Sequence, residues 1–321
     1  MKNSIFHKLS RVLWGVVVTL VVLLAVYVSL GQVLTSATGS YQRQILQELN
    51  RRAPFAIDAR SVSAEWHSFT PVLVLQELRL TMPGASARPI DLTEGRIGID
   101  VASSLRTWSL QMTGLQLDGL QLSGELTEQG QLRIRGFEAG ESSLRDWAEN
   151  YLLNLDDLVL SGIQLELSMP AGEMRGLELE LQMSRERSRR RLDAELRSSR
   201  GLRAVLLGKG LGNPFKPDEF DGEIHLDVQV PEVGALEQVL VQVLPEVLFE
   251  GRLGMQVWSS WKRGVSTATV QLEVGDFRAT AADQSWRVPL DRLAFDASLI
   301  ERGDRWDLFI ADLEVMAGET S

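Results

Sequence analysis

The sequence predicts a mainly β protein held to a membrane by one N-terminal helix. Three observations carry this. One uninterrupted apolar span lies near the start, apolar residues recur at every second position over most of the remainder, and few stretches show helical spacing.

The anchor comes first. Val12 to Leu30 is a 19-residue stretch without a charge. As a helix it spans roughly 28 Å, about the thickness of a bilayer's hydrocarbon. Lys2, Lys8 and Arg11 precede it with no acidic residue among them, and the next charge is Arg43. The positive-inside rule therefore leaves residues 1–11 as a cytoplasmic tip, makes 12–31 the transmembrane anchor, and sends 32–321 across the membrane. Trp14 and Tyr27 sit near the two ends, as interfacial aromatics do. A cleaved signal peptide is the competing reading. Its apolar core is shorter, and Thr35-Ser36-Ala37 is a weak cleavage site.

Composition narrows the function. The chain has 321 residues, 33 Lys+Arg, 43 Asp+Glu and no Cys, for a net charge of −10. Three of the cations lie in the cytoplasmic tip, so the translocated part carries −13. That charge excludes the basic surface a nucleic-acid binder needs. The absence of Cys excludes disulfides, thiolate metal sites and thiol nucleophiles. An acidic domain is also repelled by anionic headgroups, so charge alone does not lay it on a membrane.

The elements follow in order. Tyr41 to Ala53 reads as a short amphipathic helix, with Tyr41, Ile45 and Leu49 on one side and Pro54 as its stop. From Phe55 the period is two: Phe55, Ile57 and Ala59, then Leu78, Leu80 and Met82, then Ile97, Ile99 and Val101. The clearest run is Leu177 to Met183, apolar at every odd position and polar at every even one. Leu115 to Leu122 is echoed 43 residues later by Leu158 to Leu165, and in both the apolar phase slips at a glycine. Gly119 and Gly162 are read as β-bulges or tight joins, because an unabsorbed slip turns every later side chain over. The echo is read as a meander with short connections.

Helical spacing recurs in Ser142 to Asn154 and in Glu232 to Phe249, the second broken at Pro245. Arg185 to Arg191 is read as a solvated hairpin tip, with contact to an anionic headgroup as the alternative. The glycine-rich Gly208 to Gly212 is read as a loop. His225, between Ile224 and Leu226, is read as a strand residue on the solvent face.

No chemistry emerges. His7, His67 and His225 lack partners at metal-ligand spacing, and no hydrolase, zinc-protease or phosphate-loop motif occurs. Asp156 and Asp157 are neighbours whose side chains point to opposite faces of a strand. The chain is read as a non-enzyme without cofactor or metal.

The apolar faces therefore hold the functional question. Two or three helices are too few to cover roughly fifteen strands. A second sheet would close a packed core, whereas a sheet curved into a trough would leave the face for lipid acyl chains. Pattern alone favours the packed core.

One further feature bears on this choice. The anchor, the helix 41–53, the strand Phe55-Ala56-Ile57-Asp58-Ala59-Arg60-Ser61-Val62-Ser63-Ala64-Glu65-Trp66, the stretch Asp100 to Leu122 around Trp108, Leu144-Arg145-Asp146-Trp147 followed by Leu158-Val159-Leu160, and Asp221-Gly222-Glu223 succeed one another in an order that resembles the N-terminal part of the YhdP family. That family is AsmA-like and related to chorein-type bridge-like lipid-transfer proteins. The resemblance covers nearly the whole chain and is carried by order and spacing.

It implies an elongated, curved antiparallel β-sheet groove with a few short helices, in a bacterial inner-membrane protein whose bulk is periplasmic. The implied function is phospholipid transport between inner and outer membranes, supporting the outer-membrane permeability barrier. Phospholipids, the inner membrane and other envelope proteins are the implied partners. Members of the family are commonly longer, so the groove domain is expected to be incomplete at its C-terminal end.

On this reading acyl chains lie along Leu115, Leu117, Leu120, Leu122, Leu158, Leu160, Ile163, Leu165, Leu177, Leu179 and Leu181. The alternative is a non-enzymatic structural or assembly factor of the envelope, with a packed β core and no lipid groove.

Overall fold

The computed structural model describes residues 42–51, 53, 55–67, 70–81, 89–107, 111–126, 132–134, 149, 152–169, 172–214, 216, 219–236, 246–262, 265–302 and 305–317. The predicted anchor, Val12 to Leu30, lies outside them. Among the described residues no helix is long and apolar enough to cross a membrane.

Fifteen strands form one sheet. They are β1 (Ala56–His67), β2 (Thr70–Thr81), β3 (Ile90–Ile99), β4 (Met112–Asp118), β5 (Gln121–Leu126), β6 (Leu132–Ile134), β7 (Asp157–Met169), β8 (Gly172–Glu186), β9 (Arg189–Ser198), β10 (Arg203–Leu211), β11 (Asp221–Val230), β12 (Val247–Lys262), β13 (Val265–Ala281), β14 (Arg287–Arg302) and β15 (Arg305–Ala317). The order runs β1-β2-β3-β4-β7 and then consecutively to β15, with β5 beside β7 and β6 beside β5. The sheet is open and curved. All fifteen strands belong to it, so among the described residues no second sheet covers either face.

Helix α1 (42–51) closes one edge. Its Leu49 packs with Val62, Leu75, Leu78 and Leu92 in a buried cluster, and Ile45 and Leu46 lie against the same cluster. Its polar side chains cover the free backbone of β1. The Asn50 amide accepts the Ile57 N–H at 2.5 Å and donates to the Ile57 carbonyl at 2.9 Å. Gln42 donates to the Ala59 carbonyl at 3.1 Å. A helix that takes up an edge strand's hydrogen bonds prevents that edge from pairing elsewhere.

The two echoed segments lie side by side. β4 pairs with β7 in parallel, Leu115 opposite Leu158 and Leu117 opposite Leu160. β5 continues the match, Leu122 opposite Leu165. The register offset equals the 43-residue sequence offset, so like residues sit beside like. This corrects the expected meander at this point: the unit is a crossover, and the sheet is mixed rather than wholly antiparallel.

Gly119 and Gly162 have φ of 69° and 60°. Gly119 breaks β4 from β5, and the β7–β8 register shifts between Leu160 and Ile163. Both phase slips are thus absorbed at a left-handed residue, and a side chain at Gly119 would strike Thr93.

Three other expectations change. Val101 does not extend β3; it opens α2 (Val101–Thr107), whose start is capped by the Asp100 carboxylate accepting the Ser103 N–H at 2.9 Å. Gly208 and Gly210 are in β10, not a loop. Phe220 lies over Gly210 and Gly222, where any side chain would collide with its ring.

Of the expected helix Glu232 to Phe249, Val233–Leu236 is a 3-10 turn, 237–245 lie outside the described residues, and Val247 and Phe249 belong to β12. Its Val and Leu residues suit a strand as well as a helix. The segment Ser142 to Asn154 is described only at Glu149 and from Leu152, where Leu152–Asn154 is another 3-10 turn. The tip at Arg185 to Arg191 is a hairpin as expected, turning at Arg187 with φ 59°.

Candidate functional site: the apolar face of the sheet

Register fixes which side chains share a face. One row runs Leu181, Ala194, Leu206, Leu226, Val257, Val270, Ala297 and Ile310 from β8 to β15. Its neighbour runs Leu179, Leu196, Ala204, Val228, Met255, Leu272, Phe295 and Leu313. With about 4.8 Å between strands, each row is a rail roughly 34 Å long. One position over, on the opposite face, the row reads Glu180, Glu195, Val205, Asp227, Gln256, Gln271, Asp296 and Asp312. The sheet thus has one greasy side and one wet side through eight consecutive strands.

All eleven residues singled out from the sequence fall on the greasy side. Leu158, Leu160, Ile163 and Leu165 oppose Met183, Leu181, Leu179 and Leu177 on β8. Leu115, Leu117 and Leu122 oppose the same β7 residues from the other side. Leu120 joins them in the cluster beneath α1.

They differ in access. Ile163 and Leu177 are 1% and 2% exposed, and Leu120 and Leu158 are also buried. Leu115, Leu117, Leu122, Leu160, Leu165, Leu179 and Leu181 are half-buried.

Access grows along the sheet. From β9 to β14 the greasy side chains are mostly half-buried, as in Leu196, Leu226, Met255, Leu272 and Leu299. On β15, Leu308, Ile310 and Leu313 are 60–62% exposed. A soluble domain seldom leaves a contiguous apolar surface of this kind without a use for it. Sequence reasoning stopped at Leu181 and missed this larger part. The signal was present, since Ile224 to Val230 and Val270 to Val274 alternate as cleanly as Leu177 to Met183.

The wet face is laced by ion pairs within and between strands. Glu195 takes hydrogen bonds from Arg197 at 2.7 Å and Arg203 at 2.6 Å. These bonds hold its carboxyl below the usual range, Arg197 contributing most. The benefit is present at neutral pH and fades as pH falls through that lowered value. Lys209–Glu223 and Arg191–Asp193 each close at 2.8 Å. Such exposed pairs contribute little each, and they leave the face hydrated.

His225 stands on this face but is only half exposed, because its ring stacks on Trp258 with centroids 5.1 Å apart. The pair lines an open depression of about 530 Å³ with Leu207, Thr267 and Thr269. Among the described residues, no group of three or more His, Cys, Asp or Glu is placed to hold a metal ion.

The hairpin tip departs from this pattern. Arg185 and Arg190 are directly cross-strand, in the same columns as Met183 and Leu192, so both lie on the greasy face. Arg190 donates to the Gly212 carbonyl at 2.8 Å and the Leu153 carbonyl at 2.6 Å. Its pKa is lowered, first by burial and then by the charge of Arg185. A guanidinium nevertheless keeps its proton.

The arrangement offers a long apolar surface, backed by a hydrated opposite face and flanked by a cationic tip where β8 turns into β9. A family model described as YhdP protein matches residues 1–320. No curated protein and no solved structure matches significantly. The chain belongs to the YhdP family.

Proposed function

We propose that the greasy face binds phospholipid acyl chains and that the protein takes part in moving phospholipid between the inner and outer membranes. The observation that carries this reading is the apolar rail from Leu179 and Leu181 to Leu313 and Ile310, which no second sheet covers among the described residues. Membership of the YhdP family supports it.

The physics suits transfer. Each buried methylene contributes about 0.8 kcal/mol, so half-burying about ten of them holds a chain by about 4 kcal/mol. A step from one strand to the next exchanges Leu or Val for Leu or Val. The well therefore changes little along the rail, and sliding has low barriers. Headgroups remain in water, and no bond is made or broken.

On this reading residues 12–31 anchor the base in the inner membrane and 32–321 lie in the periplasm, where outer-membrane permeability would depend on the supply of lipid. The full chain, extracted in non-ionic detergent and examined by native mass spectrometry, is expected to carry phospholipid. A chain that emerges free of lipid under conditions that preserve its β signal would count against the groove.

A further inference from the structure

The cations of the hairpin tip are unlike most others in the sheet. Arg79, Arg96, Arg191, Arg197, Arg203 and Lys209 all meet carboxylates on the wet face. Arg185 and Arg190 meet none within 4.0 Å among the described residues, although the chain carries a net −10. Two like charges directly opposite each other on neighbouring strands repel.

Arg190 is also committed to the surface. Its two terminal nitrogens are held by carbonyls, and its Nε is buried without a hydrogen-bond partner. Arg187 and Arg189 complete the tip, both exposed. Among the described residues Arg185 donates only its Nε, to the Arg187 carbonyl at 3.1 Å, so its terminal nitrogens can grip the oxygens of a phosphate while the fixed charge of Arg190 adds to the pull on an anion. The next greasy-face residues inward are Met183 and Leu192, so an anion seated here would have apolar surface leading away from it.

We propose that Arg185 and Arg190 form a phosphate-headgroup site where a phospholipid enters or leaves the rail, its acyl chains running inward over Met183 and Leu192. This deepens the acyl-chain reading and rests on it. The apolar rail supplies affinity for the tails without regard to headgroup, and the arginine pair supplies the preference for a phosphate beside it, at the β8–β9 turn. Amphiphiles without phosphate would bind the rail but lack a fixed starting point.

The test compares phosphatidylglycerol with the diacylglycerol of identical chains, each fluorescently labelled on one acyl chain, binding to the full protein in non-ionic detergent. The wild type is expected to favour phosphatidylglycerol at least tenfold. Arg185→Gln, which leaves the Arg190 carbonyl bonds in place, is expected to cut that preference at least threefold. Adding Arg190→Gln should remove it, while diacylglycerol binding is unchanged in both variants.

Equal binding of the two lipids to the wild type would overturn the headgroup site and leave the acyl face standing. So would inorganic phosphate binding as tightly as the lipid, which would make this a simple anion site. Failure of both lipids to bind would instead overturn the acyl-face reading itself.

Discussion

The full chain carrying Leu226→Glu or Leu272→Glu is expected to keep its fold and to lose at least tenfold of its bound phospholipid. Leu226 lies between Leu206 and Val257, and Leu272 between Met255 and Phe295. Both side chains are half-buried on a face that no second sheet covers among the described residues. A carboxylate there can reach water in the empty protein, so folding tolerates it. With an acyl chain in place it must be desolvated against hydrocarbon. Even about 3 kcal/mol of such cost is roughly a hundredfold at that step. Because the rail is serial, one such site should interrupt passage along all of it. Circular dichroism and native mass spectrometry on the same sample separate the two effects. If the variants keep wild-type lipid, the face is not the binding surface.

Leu75→Ala should act in the opposite way, on stability rather than on lipid. Leu75 is 1% exposed and belongs to the cluster shared by α1 and the first strands. Truncating a leucine so enclosed costs about 2–5 kcal/mol, the lost transfer energy plus the cavity. The expected result is a lower denaturant midpoint, with α1 the element most loosened. Lipid bound per folded molecule should stay the same, since the rail from β8 to β15 does not include Leu75. A loss of less than about 1 kcal/mol would mean that the cluster is not the packed core described here.

These contrasting outcomes reflect two parts of one sheet. In the first strands, α1 supplies a lid: Leu49 seals the face, and Asn50 and Gln42 occupy the β1 edge. Further along, the same alternation continues without a described lid. The packed-core and open-trough readings therefore each fit one part of the chain. Ile163 belongs to the enclosed part, and Leu196 to Leu299 to the open one.

The alternation made the strands legible, and it also identified the face, because paired residues share a face wherever the register is unbroken by a bulge. The glycine slips at Gly119 and Gly162 were legible for the same reason. The partner of each strand was not. Nothing local to Leu115–Leu122 says that it lies parallel to Leu158–Leu165 rather than antiparallel to a neighbour, since that depends on a crossover of distant residues.

Gly208 and Gly210 were hidden because a residue without a side chain gives no periodic signal, and the reason for them, the ring of Phe220, lies on the approach to the next strand. Val247 and Phe249 were misread because their spacing also fits a helix. Burial was the least legible property. Leu177 and Leu181 look alike in sequence, yet only Leu177 is buried.

The central claim is that lipid touches one face of this sheet and not the other. Photo-crosslinking side chains placed in turn at Leu179, Glu180, Leu226, Asp227, Leu272 and Glu273 of the full chain in its native membrane test it most directly. Each pair is adjacent in sequence and opposite in face. Lipid adducts are expected at the three leucine positions and not at the three acidic ones. Equal labelling at both members of each pair would contradict the account.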